Sequence, residues 1–280
     1  FEVVSGTLTL TDCKSNQGKV TSAYKGGVEV NGGTFNLYGG SITKNKAAKG
    51  GGVKVTSGTV NVYGGAIADN KAAGSAEGTG NGGGVYMSGG TFHMRGGSIT
   101  DNTTDVYSNG EGNGGGVYVS GGTFNMSGGS ITGNDSNGVF VWGNATFTVS
   151  GAATVKGNTR EGAASNVFLT GSAKITIGGE LTGSPNSIGV TRGAYLDIAN
   201  NVNEDYSGIF FSDKTQYVVK YKDNQLVLAE KDTTAETHTH CLCGKTHTAI
   251  GDHKTEQEVT FATKLWMDNG VLKKGDNAWG

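Results

Sequence analysis

The chain has 280 residues, of which 51 are glycine and one is proline, Pro185; 51/280 is about 18%, against roughly 7% in ordinary proteins. A single proline and no Gly-X-Y period exclude collagen and proline-rich linkers, and 35% hydrophobic residues exclude general disorder. With 22 basic and 24 acidic side chains and a net charge of -2, nothing global attracts nucleic acid or anionic lipid, and no apolar run approaches the roughly 18 residues of a membrane helix.

The opening FEVVSGTLTL reads as strand. From Gly26 an internal repeat begins: GGVEVNGGTFNLYGGSITKN from Gly26, GGVKVTSGTVNVYGGAIADN from Gly51, GGVYMSGGTFHMRGGSITDN from Gly83 and GGVYVSGGTFNMSGGSITGN from Gly115. The starts differ by 25, 32 and 32 residues, so a fixed 20-residue unit is followed by insertions of 5, 12 and 12 after its final Asn. Weaker copies continue from Gly138, Asn166 and Ser187.

Within a unit Val28 and Val30 flank Glu29, Phe35 and Leu37 flank Asn36, and Ile42 lies between Ser41 and Thr43, which is strand periodicity. Three short strands and two glycine-containing corners leave no room for hairpins in 20 residues, but they complete one turn of a coil. Stacked coils place each strand beside its equivalent, about 4.8 Å away, in three parallel sheets around a dry interior. The expected fold is therefore all-β, a right-handed single-stranded parallel β-helix, a three-sheet solenoid over residues 1–206. Its handedness follows the general rule for parallel crossovers. Nine or so coils would make a rod of about 45 Å.

Stacking predicts apolar ladders of Val28, Val53, Val85 and Val117, of Phe35, Val60, Phe92 and Phe124, and of Ile42, Ile67, Ile99 and Ile131. Asn45, Asn70, Asn102, Asn134 and Asn158 recur at one corner, where inward amides can satisfy buried backbone groups. On the outer face Tyr86, Tyr118, Phe140 and Phe168 form an aromatic column, a candidate sugar-binding surface whose rings can equally stack on one another. Thr34, Thr59, Thr91, Thr123 and Thr146, beside Asn36, Asn61, His93 and Asn125, make a polar face typical of exposed strands.

The two 12-residue insertions, 71–82 and 103–114, leave adjacent coils at the same corner and should lie side by side. They carry Glu77, Asp105, Tyr107 and Glu111, near the stacked pair Asp69 and Asp101. Two such carboxylates can serve as acid and base on a glycosidic bond. Lys44 occupies the same column one coil earlier, so a Lys44–Asp69 surface pair is the simpler role. No third carboxylate completes a pectate-lyase-like or polygalacturonase-like set, and the GGxGxDx pattern of calcium-binding β-rolls is absent.

Residues 207–230 read as a hairpin cap, with QYVVKY and QLVLAE flanking Lys222-Asp223-Asn224. In 231–257 histidines and cysteines concentrate. Cys241, Cys243, His247 and His253 offer a Cys2His2 set for structural zinc, with His238 and His240 as further candidates; a Cys241–Cys243 disulfide would be a strained ring. Cys13 has no evident partner.

These features resemble large secreted or wall-attached parallel β-helix proteins of gut-dwelling Gram-positive bacteria, of adhesin type. The likeness rests on GGTFNMSGGSITGN-type coils, on IGVT at Ile188 followed by a hairpin cap, and on HTHCLCGKTHTAIGDHK. It implies that the Cys/His segment separates successive modules and that 258–280 begins the next one. It also implies an extracellular, secreted or cell-wall-attached location. The expected function is a non-enzymatic stalk or adhesin module that contacts glycans or other surface macromolecules and neighbouring modules, without nucleic acid or membrane insertion. Tyr86, Tyr118, Phe140, Tyr107 and Glu111 are its candidate ligand contacts. The alternative is a polysaccharide hydrolase or lyase acting beside the 71–82 and 103–114 loops through Asp69 and Asp101.

Overall fold

The computed structural model describes residues 1–12, 18–74, 80–105, 112–192, 196–231, 235–239, 246–250, 265–268 and 271–274. The chain divides into two compact units, Phe1–Ala229 and Glu230–Gly280. Among the described residues every regular element is a β-strand.

In the first unit each clear copy of the repeat forms a ten-residue strand, Val28–Leu37, Val53–Val62, Val85–Met94 and Val117–Met126. A three-residue strand follows each: Ser41–Thr43, Ala66–Ala68, Ser98–Thr100 and Ser130–Thr132. Every strand pairs parallel with its counterpart in the adjacent copy, so that Val28, Val53, Val85 and Val117 lie in one row. Residue alternation then sends like side chains inward together. Phe92 and Phe124 meet edge to face at 5.5 Å, Phe124 and Phe147 stack at 5.0 Å, and Ile42, Ile67, Ile99 and Ile131 form a fully buried row.

Three particulars depart from the sequence expectation. The Gly32-Gly33 pair, Ser57-Gly58 in the next copy, does not end a strand: the backbone runs on from Val30 to Thr34 with a shift of register. The offset between partners is the same for Val30 with Val55 as for Thr34 with Thr59, so the irregularity is local and the ladder resumes beyond it. A further pair of residues after Asn45, Asn70 and Asn102, namely Lys46–Ala47, Lys71–Ala72 and Thr103–Thr104, builds a separate three-stranded sheet. And one repeat precedes the gapless copies, inside the expected 1–206 span, because Thr7–Leu10 pairs with Thr34–Leu37 and Lys19–Thr21 with Ser41–Thr43. Its third strand is displaced along the chain by the 11–18 segment, which hid it from a search for gapless 20-residue copies.

The parallel pairing continues through Val139–Val141, Val167–Leu169, Ile188–Arg192 and Phe210–Ser212. It ends where Asp197–Asn200 takes Gln225–Glu230 as an antiparallel partner and Leu226 and Leu228 bury their side chains. Asp223 and Asn224, both at positive φ (50° and 57°), reverse the chain between Tyr217–Lys222 and Gln225–Glu230.

Glycine is required where repeats approach one another. A Cβ on Gly97, which has φ +75°, would stand 2.7 Å from the Gly65 carbonyl oxygen one repeat earlier. At Gly84 it would meet the Gly116 oxygen at 2.6 Å and the Asn102 amide nitrogen at 3.0 Å.

In the second unit Ala235–Thr239 pairs antiparallel with Thr246–Ile250, and Leu265–Asp268 with Val271–Lys274.

Ile99→Ala opens a cavity in the fully buried isoleucine row and is expected to lower unfolding free energy by about 2–5 kcal/mol in urea titrations. A loss below about 1 kcal/mol would show that this row is not tightly packed.

Candidate functional site: the asparagine ladder and the outer columns

Asn45, Asn70, Asn102, Asn134 and Asn158 are each no more than 1% exposed. From each, the backbone N–H and one Nδ2–H donate to the Oδ1 of the next, at 2.9–3.1 Å throughout. The second Nδ2–H donates to a strand carbonyl of the preceding repeat, Val20, Ile42, Ile67, Ile99 and Ile131 in turn, at 2.8–2.9 Å. The amides thus form one directional chain, begun by the Ala23 N–H donating to Asn45 Oδ1.

Sequence reasoning stopped this ladder at Asn158, but it runs two groups further. Asn158 donates to Asn166 Oδ1, and Asn166 in turn donates from its backbone and side-chain nitrogens to the two carboxylate oxygens of Asp213. Thr191 adds a third donor to Asp213 at 2.7 Å. A carboxylate accepts and does not donate, which suits the end of a line whose donors all point toward it. The signal was present: Asn166 pairs in register beyond Gly138, in the column that is glycine in every earlier copy.

The residue before each ladder Asn explains Asp69 and Asp101. Lys44, Asp69 and Asp101 have φ of 56°, 55° and 55°, and the equivalent Gly133 and Gly157 have 66° and 68°. This is a left-handed turn position, which Asp tolerates better than most residues and glycine best. Both aspartates are exposed; Asp101 accepts from the Thr100 hydroxyl at 3.0 Å. The expected Lys44–Asp69 pair is not formed among the described residues: Lys71 pairs with Asp105 at 2.6 Å and Lys54 with Glu29 at 2.8 Å instead.

The stems of the two long insertions run side by side, Lys71–Ala72 beside Thr103–Thr104 and Asn81 beside Asn113. Glu77, Tyr107 and Glu111 lie outside the described residues.

Tyr86, Tyr118, Phe140 and Phe168 form one stacked column, with ring separations of 5.5, 5.3 and 5.3 Å and planes within 8° of parallel. The expectation of an outward display holds less well. Tyr86 and Phe140 keep only 8% and 4% exposure, and the Lys49 ammonium lies 5.3 Å over the Tyr86 ring. Trp142, two residues beyond Phe140 and stacked beside it at 6.2 Å, is exposed.

A second row was missed. Tyr38 and Tyr63 close the ten-residue strands of the first two copies and stack at 4.5 Å with planes 7° apart, while remaining 52% and 41% exposed. Arg95 continues the row, its guanidinium 5.3 Å over Tyr63 and donating to Asn61 Oδ1 at 2.9 Å. Asn61 donates to Asn36 Oδ1, again at 2.9 Å. The motif LYGG, VYGG, MRGG was visible, but the tyrosines sit at a corner and escaped a search for alternation along strands.

Beside this row His93 faces Asn125, whose Nδ2 lies 3.4 Å from His93 Nδ1. Burial, and then the Arg95 guanidinium, hold the His93 imidazole below its usual range.

In the second unit the strand register sets His238 opposite His247. Cys241, Cys243, His240 and His253 lie outside the described residues, as does Cys13, and the described residues contain no group of three metal-binding side chains.

Comparison with family models, with curated proteins and with solved structures yields no match.

The depressed His93 value has a definite sign. The unfolded chain takes up the proton first, so stability is lost as pH falls through about 6.5 and levels off below the folded-state value. His93→Asn, which installs the residue of the neighbouring copies, should flatten the difference in melting temperature between pH 7.5 and 5. An unchanged pH dependence would remove His93 from that role.

Proposed function

We propose that residues 1–206 wind into a right-handed single-stranded parallel β-helix, closed by the 207–230 segment, and act as a rigid, non-enzymatic display module of an extracellular surface protein. The observation that carries this reading is the parallel pairing of equivalent strands from copy to copy, with local shifts inside the long strands, joined by one continuous line of buried amides. Such a body offers fixed outer columns to a partner and changes little on binding. Glycans or other surface macromolecules are the partners best suited to it, since Tyr38 and Tyr63 stand exposed on its outside beside the half-buried amides of Asn36 and Asn61.

The turn geometry at Asp69 and Asp101 supports the non-enzymatic reading, because it accounts for both aspartates without catalysis. The segment 231–257 is proposed as a zinc-held unit with Cys241, Cys243, His247 and His253 as ligands. A hairpin whose connection carries both cysteines supports it, and the metal would supply folding energy to a segment with few apolar residues.

Incubation with pectins, mucin and host glycans tests the proposal. Retention on a glycan array without release of oligosaccharide is expected, and Asp101→Gly should keep that retention while raising stability by about 0.5–1 kcal/mol through relief of the left-handed turn. Oligosaccharide release that Asp101→Asn abolishes would replace this reading with a hydrolase or lyase.

A further inference from the structure

The row of Tyr38, Tyr63 and Arg95 joins exposure, stacking order and, among the described residues, a cation with no paired carboxylate. Arg95 is held in place twice, by its stacking on Tyr63 and by its hydrogen bond to Asn61, yet among the described residues no carboxylate pairs with it. A guanidinium carries five N–H donors in a planar fork; Arg95 is exposed and bonds Asn61 through Nη1, and its other donors can meet a carboxylate in bidentate fashion. Prior ordering matters because less side-chain freedom is lost when a ligand arrives.

The two tyrosines set the chemistry of the rest of the ligand. Tyr38 and Tyr63 stack on each other and Arg95 lies over Tyr63, which takes up flat ring surface that a ligand would otherwise cover, while both tyrosines remain exposed. Phenol hydroxyls and the amides of Asn36 and Asn61 are neutral partners for hydroxyl groups. One fixed cation beside a row of neutral hydrogen-bonding groups fits a hydroxyl-rich chain with carboxylates. It fits a dense polyanion poorly, since that demands many cations. The acidic side chain at this corner, Asp12, aligns with Gly39 beyond Tyr38, at the opposite end of the row from Arg95.

We propose that Tyr38, Tyr63 and Arg95, with Asn36 and Asn61, form a binding site for carboxylate-bearing polysaccharide of the uronic acid class, Arg95 taking the carboxylate and the tyrosines the hydroxyls. This rests on the glycan-display reading and names its site and ligand class. The site is distinct from the covered Tyr86 column.

The test uses the 280-residue chain with polygalacturonate, its fully methyl-esterified form and poly-glutamate, measured by calorimetry or biolayer interferometry. Polygalacturonate is expected to bind, with affinity falling as salt rises, and the neutral ester to bind at least tenfold more weakly. Arg95→Ser, which places here the residue of the next copy, should cost tenfold or more, and Tyr63→Ala a smaller but measurable factor. Arg95→Lys should recover only part of the loss, because it keeps the charge and not the fork. Melting temperatures within about 2 °C of the parent would show that these exposed substitutions leave the fold intact. Equal binding of acid and ester, an Arg95→Ser variant that binds undiminished, or poly-glutamate bound as tightly as polygalacturonate would each overturn the site. If neutral glycans are retained independently of Arg95, the site fails and the display reading stands. If the chain retains no glycan of any kind, both fail.

Discussion

A buried amide that must find its partners in the repeats on either side is the constraint on which this architecture depends. Apolar ladders alone specify which face of a strand points inward, and they tolerate substitution: Val60 occupies the row of Phe35 and Phe92. They discriminate weakly between one stacking offset and another. Asn102 discriminates sharply, because a slip by one position leaves an Oδ1, two Nδ2–H groups and backbone N–H groups without partners inside a dry core. Each buried group so stranded costs about 1–3 kcal/mol, so a few rungs outweigh any alternative packing of valines and isoleucines. The glycine columns follow from the same requirement, since a Cβ at Gly84 would occupy space beside the Asn102 amide. Insertions of different length are harmless because they leave after the Asn and return before the glycines.

The ladder has direction, and its two ends differ. Donors run from Ala23 toward Asp213, and an acceptor-only group closes the line where the strands change from parallel to antiparallel pairing. Polarity of this kind is a consequence of planar amides that each pass a hydrogen bond forward, and it gives the last repeats a different chemistry from the first.

Most of the fold was legible because repetition reveals itself by self-comparison. Rows such as Ile42, Ile67, Ile99 and Ile131 were read correctly from spacing alone, and so was the inward Asn45 to Asn158 series. What escaped has physical reasons. The repeat before Gly26 has its third strand displaced along the chain, and Asn166 enters the ladder from a glycine column rather than from the usual corner. Asp69 and Asp101 stand before ladder asparagines at positive φ, a turn position that sequence does not display. The outer surface was less legible still. Alternation says that Tyr86 and Phe140 point away from the core, yet it is silent on what covers them, and Tyr38 and Tyr63 stand where alternation stops. The interior is governed by one repeated rule, whereas the exterior varies copy by copy, and that variation is where recognition of a partner can be written.

Side-chain hydrogen exchange tests the ladder most directly. With the chain labelled selectively at asparagine nitrogen, the Nδ2 protons of Asn70, Asn102 and Asn134 should exchange more slowly than those of the exposed Asn31 by about a hundredfold or more, and in step with the backbone amides of the neighbouring isoleucines. Exchange of those three side chains at the rate of Asn31 would mean that the amides are open to water and that something else holds the repeats in register.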